Sequence, residues 1–164
     1  MPGTMLILRG KTDLKAWPKY PNGALDEQSA LQYAKNNGYE GRVLPVSGET
    51  GSNSKQTEKA LQDFLNDQTI TALYGFSGGG YNVRHILDRL KADPATAKQL
   101  ARLELIVVIG VDKQNLSRDR LLRESYKTSC DKVHWEVVYR NDPKPPLTHI
   151  DGPRALLEGR PFND

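Results

Sequence analysis

Cysteine is all but missing from this chain. Cys130 stands alone among 164 residues. A single thiol excludes an internal disulfide, which fits a reducing compartment such as the cytoplasm. Long apolar runs are missing too, and no stretch approaches the roughly 20 residues a membrane span needs. The N-terminus runs from Met1 straight into an apolar segment, with neither a basic start nor a small-residue cleavage site, and so reads as carrying no signal peptide. Histidine is scarce: His85, His134 and His149 are scattered, and with one Cys and no His-x-x-x-His helix they offer no set of metal ligands. Charge of one sign is not concentrated either. There are 23 basic and 20 acidic residues, a net of +3. The nearest thing to a basic run, Arg118, Arg120 and Arg123, is interleaved with Asp119 and Glu124 and reads as a solvated helix face rather than a nucleic-acid stripe. No cofactor fingerprint appears. The stretch from Gly48 to Lys55 has Gly, Ser and Lys, but not in the order of a phosphate-binding loop.

What is present is an alternation of strand-like and helix-like segments in a chain of one-domain length, 1–164. Five β-rich runs are expected: Met5–Leu8, Arg42–Val46, Ile70–Gly75, Leu103–Val111 and Val133–Tyr139. Pro45 marks the second as an edge or a strand end. The fourth is nearly continuous in apolar residues and reads as covered on both faces. Between the runs, Asp26 is expected to cap a helix carrying Ala30, Leu31 and Ala34 that Gly38 ends. Ser54 starts a helix with Ala60, Leu61, Phe64 and Leu65 on one face. Val83, Ile86, Leu87 and Leu90 form a third stripe. Asp93-Pro94 opens a short helix to Arg102, Ser117 caps one through Leu121, Leu122 and Tyr126, and a last helix surrounds Ala155–Leu157. The alternation predicts an α/β three-layer sandwich: a mainly parallel sheet of about five strands with helices on both faces. In such a sheet the ligand site lies beyond the carboxyl ends of the strands.

At one of those ends stands Gly75-Phe76-Ser77-Gly78-Gly79, followed by Gly80-Tyr81-Asn82. This is a Gly-x-Ser-x-Gly pattern in the context of strand, tight turn and helix. The small flanking residues let strand and helix approach while the turn lifts the Ser77 hydroxyl above the sheet. The N–H groups that follow it face developing negative charge. Two blander readings compete, a glycine-rich packing turn and a phosphate cradle at Gly78–Gly80. A nucleophilic serine needs a base. His85 lies within the following helix and His134 within a strand, whereas His149 lies in a loop after the last strand, and it is the expected base. Asp112, directly after the fourth strand, is the expected acid, with Asp142 as the alternate. Asp151 reads as a helix cap.

With Ser77, Asp112 and His149 in that order, the chain resembles the α/β-hydrolase family of serine esterases and lipases. The resemblance runs from Met5 to about Gly152 by element order, with the Ser77 turn as its one specific motif. The family's two leading antiparallel strands and its last strand have no counterpart, so the resemblance implies a trimmed, lidless form. It further implies an oxyanion hole from the N–H of Gly78 and that of Gly10 or Lys11, and no cofactor. The substrate it implies is a small ester, thioester or amide, with no nucleic-acid or membrane partner. Phe76 and Tyr81 would border the substrate, and Trp17, with Tyr20 and Pro21 in the long first loop, would either line its pocket or pack onto the sheet edge. Two other functions fit the same residues: a hydrolase-like binding module without turnover, and a phosphate or nucleotide binder at Gly78–Gly80.

Overall fold

A computed structural model describes residues 3–10, 23–46, 48–109, 124–136 and 156–157 of the protein. Its elements follow the expected alternation: β1 (Gly3–Leu8), α1 (Gly23–Asn36), β2 (Tyr39–Val43), α2 (Lys55–Asn66), β3 (Ile70–Phe76), α3 (Gly78–Ala92), α4 (Pro94–Ala97), β4 (Leu105–Ile109) and β5 (Val133–Glu136). Residues 124–127 and 156–157 are also helical.

The strands form one sheet in the order β2-β1-β3-β4-β5, every neighbouring pair parallel. Successive strand residues point to opposite faces. The apolar runs therefore split into two cores. Leu6, Leu8, Leu73, Ile106 and Val108 pack with Ala60 and Phe64 of α2, the Val83-Ile86-Leu87-Leu90 stripe of α3, and Tyr126. Met5, Ile7, Ala72, Tyr74, Val107 and Ile109 pack on the other face with Ala30 and Ala34 of α1 and with Leu156. Fully burying one such aliphatic side chain contributes about 1.5–3 kcal/mol, which is why β1, β3 and β4 are apolar at nearly every position.

The helix ends follow local chemistry. Ser54 caps α2, its Oγ accepting from the Thr57 N–H at 3.2 Å. Asp93 caps α4, accepting from the Ala95 N–H at 2.9 Å, with Pro94 at the first helical position. Gly38, at φ +83°, follows the end of α1.

Several boundaries differ from expectation: β1 starts at Gly3 rather than Met5, β3 ends at Phe76 rather than Gly75, and β4 starts at Leu105 rather than Leu103. β2 starts at Tyr39 and ends at Val43, not at Val46. Gly3 already pairs with Tyr39, and Pro45, which has no N–H to give a ladder, falls beyond the strand. Asp26 is inside the first turn of α1 rather than capping it, because the helix begins at Gly23. The helix from Pro94 tightens into a 3₁₀ turn over Lys98–Arg102. Ser117, Leu121, Leu122, Asp151 and Ala155 lie outside the described residues.

The order has a functional consequence. The chain leaves β1 for β2 on one side and leaves β3 for β4 on the other. The crossover helix α1 covers one face and α3 the opposite one. The carboxyl ends of β1 and β3 are thus the point where the winding reverses, the place where ligand sites lie in open α/β sheets.

Candidate functional site

Ser77 stands at that point, between the last residue of β3 and the first of α3. Its backbone is at φ 55°, ψ −119°, and it is the one non-glycine residue of positive φ among the described residues. A conformation of this kind costs about 1–3 kcal/mol and persists only where its surroundings over-determine it. Here they do. The Ser77 N–H donates to the Ile109 carbonyl at the end of β4 at 2.8 Å, and the Gly80 N–H donates to the Ser77 carbonyl at 2.9 Å. The buried Tyr126 hydroxyl donates to the Gly80 carbonyl.

The spacing of the glycines follows from contact. A Cβ on Gly75 would stand 2.6 Å from the Gly79 carbonyl oxygen and 2.7 Å from the Gly80 Cα. A Cβ on Gly79 would stand 2.7 Å from the Arg9 carbonyl oxygen and closer still to that of Leu8. Strand, turn and helix are therefore packed main chain on main chain, with β1 alongside.

The side chain of Ser77 is half-buried and makes no capping hydrogen bond to α3. The first N–H groups of a helix have no acceptor within it. The first turn of α3 also carries no acidic residue. The positive end of the α3 dipole is thus uncompensated by its own sequence, beside a hydroxyl that does not satisfy it.

Gly10 borders the other side. A Cβ there would lie 3.1 Å from the Ser77 Cβ and 3.2 Å from the Phe76 carbonyl oxygen. The exit of β1 and the Ser77 turn are in contact. Phe76 is buried and Tyr81 half-buried, flanking the turn along the chain. The remaining expected site residues, Asp112, Asp142, His149, Lys11 and Trp17, lie outside the described residues, as do Tyr20 and Pro21.

The other histidines sit elsewhere. His85 is eight residues beyond Ser77 on α3, roughly 12 Å along the axis. Burial pushes its pKa down, against a smaller upward pull from Asp88. His134 pairs with Val107, two positions short of the Ile109–Glu136 register that marks the carboxyl edge. Among the described residues no group of three or more His, Cys, Asp or Glu is placed to hold a metal ion, and no helix is long and apolar enough to cross a membrane.

Sequence reading missed the polar scaffold behind the turn. Gln56, fully buried in the first turn of α2, accepts from the Arg9 N–H at 2.8 Å and donates to the Arg9 carbonyl at 2.9 Å. Asn82, fully buried in the first turns of α3, accepts from the Gly51 N–H at 3.0 Å and donates to the Glu49 carbonyl at 2.7 Å. Gln56 shares the Ala60–Phe64 stripe at helical spacing, and a polar residue on an apolar stripe was the available signal. No protein-family model, curated protein or solved structure matches the chain.

Proposed function

We propose that the protein is a serine hydrolase acting on an ester, thioester or amide, with Ser77 as nucleophile. The observation that carries this reading is the backbone of Ser77. A costly conformation at a half-buried serine, at the reversal point of the sheet and the start of a helix, is what a nucleophile turn requires. A packing turn would be served at lower cost by glycine at the same position.

In this reading His149 takes the proton of Ser77 as Oγ bonds to the carbonyl carbon. Asp112, three residues past Ile109 in sequence, holds the imidazole, with Asp142 as the alternate. The tetrahedral oxyanion is met by the N–H of Gly78 and by that of Gly10 or Lys11. The leaving group departs with the proton from His149, and water then cleaves the acyl–Ser77 bond by the same route reversed. The N-terminus of α3 favours the developing negative charge, and each oxyanion donor is worth about 3 kcal/mol in the transition state.

A second reading is a phosphate or nucleotide binder without turnover. It draws on the three glycines at the start of α3 and on the lack of an acid in its first turn. Labelling of the intact protein with a fluorophosphonate, read by mass spectrometry, separates the two. The hydrolase reading expects one adduct on Ser77 that Ser77→Ala abolishes. No adduct, under conditions where a control hydrolase reacts, refutes it. Thermal stabilisation by phosphate-bearing ligands in that case favours the binder.

A further inference from the structure

The N–H of Gly10 can serve as an oxyanion donor only if its direction is fixed, and β1 does not fix it. The ladder with β3 ends at Leu8 opposite Gly75, and the ladder with β2 ends at Ile7 opposite Val43. Arg9 and Gly10 lie beyond both, yet both are buried. Their main-chain groups need partners, since an unpaired buried peptide group costs about 1–3 kcal/mol.

Gln56 supplies them for Arg9. Its amide takes the Arg9 N–H and gives a proton to the Arg9 carbonyl, as a neighbouring strand would. The second bond matters more for chemistry. The Arg9 carbonyl and the Gly10 N–H belong to one planar trans peptide and point in opposite directions. A donor that holds the Arg9 carbonyl therefore aims the Gly10 N–H. The Gly10 carbonyl is approached from another side. Gly48 lies so close to Gly10 that a Cβ on it would overlap the Gly10 carbonyl oxygen. The segment carrying Gly48 is tied in turn to α3 by Asn82, and the Thr57 hydroxyl donates to the Gly51 carbonyl at 2.7 Å.

We infer that Gln56 is a positioning residue of the active site: through the Arg9 carbonyl it orients the Gly10 N–H toward the oxyanion formed at Ser77. The inference rests on the hydrolase reading above. It separates the two hydrogen bonds of Gln56 by function, and isosteric replacement separates them by experiment. Glutamate at 56 still accepts from the Arg9 N–H. Its ionised form cannot donate to the carbonyl, and its neutral form can.

The test is steady-state hydrolysis of p-nitrophenyl acetate, with the fluorophosphonate labelling rate, on wild type, Gln56→Glu, Gln56→Met and Arg102→Gln. The last alters a residue at the amino-terminal end of β3, the far end of the strands from Ser77, and controls for lost stability. Gln56→Glu is expected to lower kcat about 10- to 100-fold with KM within about twofold, since misdirecting an oxyanion donor resembles losing part of it. Relative to wild type at each pH, the loss shrinks as pH falls from 8 to 5.5. Gln56→Met, which can make neither bond, loses a similar factor that pH does not restore, and it decides the matter if Gln56→Glu does not fold. Arg102→Gln keeps the wild-type kcat. Wild-type kcat in a folded Gln56→Met overturns the positioning role while leaving the hydrolase reading intact. Absence of labelling in the wild type overturns both.

Discussion

Replacing Gly79 by alanine sets two physical effects against each other, and the sign of the result is diagnostic. Gly79 is in the first turn of α3, and in a helix alanine is favoured over glycine by about 0.8–1 kcal/mol. Propensity alone therefore predicts a more stable protein. Packing predicts the reverse. The new Cβ would stand 2.7 Å from the Arg9 carbonyl oxygen and 2.8 Å from the Leu8 carbonyl carbon. These are main-chain atoms of β1 and its exit. No rotamer change relieves the contact, and β1 is laddered to strands on both sides. Restoring ordinary contact requires α3 to withdraw by roughly 0.5–1 Å, and overpacking of this kind costs about 1–3 kcal/mol. Taking the upper end for an immovable backbone, the net loss is about 2 kcal/mol, or a fall in Tm of about 4–8 °C for a chain of this size. Thermal and urea unfolding of Gly79→Ala measure it directly. The withdrawal also carries Ser77 away from Gly10, so labelling should slow by about tenfold or more. A variant as stable as wild type, or more so, would refute the close approach of α3 to β1 and with it the physical account of the glycine spacing.

The strain at Ser77 is tested by comparing two variants that both lose the hydroxyl. Ser77→Gly, free of a Cβ at φ 55°, should be more stable than Ser77→Ala by about 1 kcal/mol in urea unfolding; equal stabilities would mean that the backbone is relaxed. At the amino-terminal end of β3, the Arg102 guanidinium donates to the carbonyls of Phe64 and Ile70 and lies 4.0 Å from the Phe64 ring centre. Arg102→Lys, which cannot span these acceptors, should lose about 1–2 kcal/mol of stability with the labelling of Ser77 unchanged; a slower labelling rate would contradict the separation of the two ends of the strands. The Asp67 carboxyl is held down to about 2, first by the Thr69 hydroxyl, then by Arg42 and the Thr69 N–H. Its folded value lies below the unfolded value of about 4, so its contribution is complete above that pH and lost as pH falls toward 2. An NMR titration should find the midpoint near 2 in wild type and higher in Thr69→Ala; a wild-type midpoint near 4 would remove the argument.

The Ser77 turn was legible because its spacing is a contact rule. Gly75 and Gly79 must both be glycine if strand and helix touch, and few other demands produce that pattern after an apolar run. The helix caps at Ser54 and Asp93 were legible for the same reason, since each partner lies within three residues. The order of the strands was not. The apolar runs of β1, β3 and β4 are interchangeable in pattern, and only their pairing places β1 between β2 and β3. β2 was misplaced by three residues because Val43–Val46 looks more strand-like than Tyr39–Arg42. The true strand is polar at Glu40 and Arg42, which face out from an edge. The stripe marks Gln56 as unusual, but the roles of Gln56 and Asn82 could not be read because their partners are main-chain N–H and carbonyl groups about 30 to 47 residues away, and such groups leave no mark in sequence. The base and acid expected for Ser77, His149 and Asp112, were named only from their places after the last and the fourth strand, and both lie outside the described residues.

The packing of Gly79 on β1 also governs how the molecule opens. Ordinarily the rim of a site is among the first parts of a protein to exchange its amide hydrogens, since loops detach while the scaffold holds. Here the rim is main chain wedged between two strands and a helix. The Ser77 N–H is engaged by β4, the Gly80 N–H by Ser77 and the Gly80 carbonyl by Tyr126. The Ser77 amide reaches water only when β3 parts from β4, and the Gly80 amide only when the first turn of α3 unwinds from beneath Tyr126. The Ser77 and Gly80 amides should therefore exchange with deuterium on the timescale of whole-molecule unfolding, alongside Leu73 and Val107. The most reactive position proposed for the chain would then be among its least mobile.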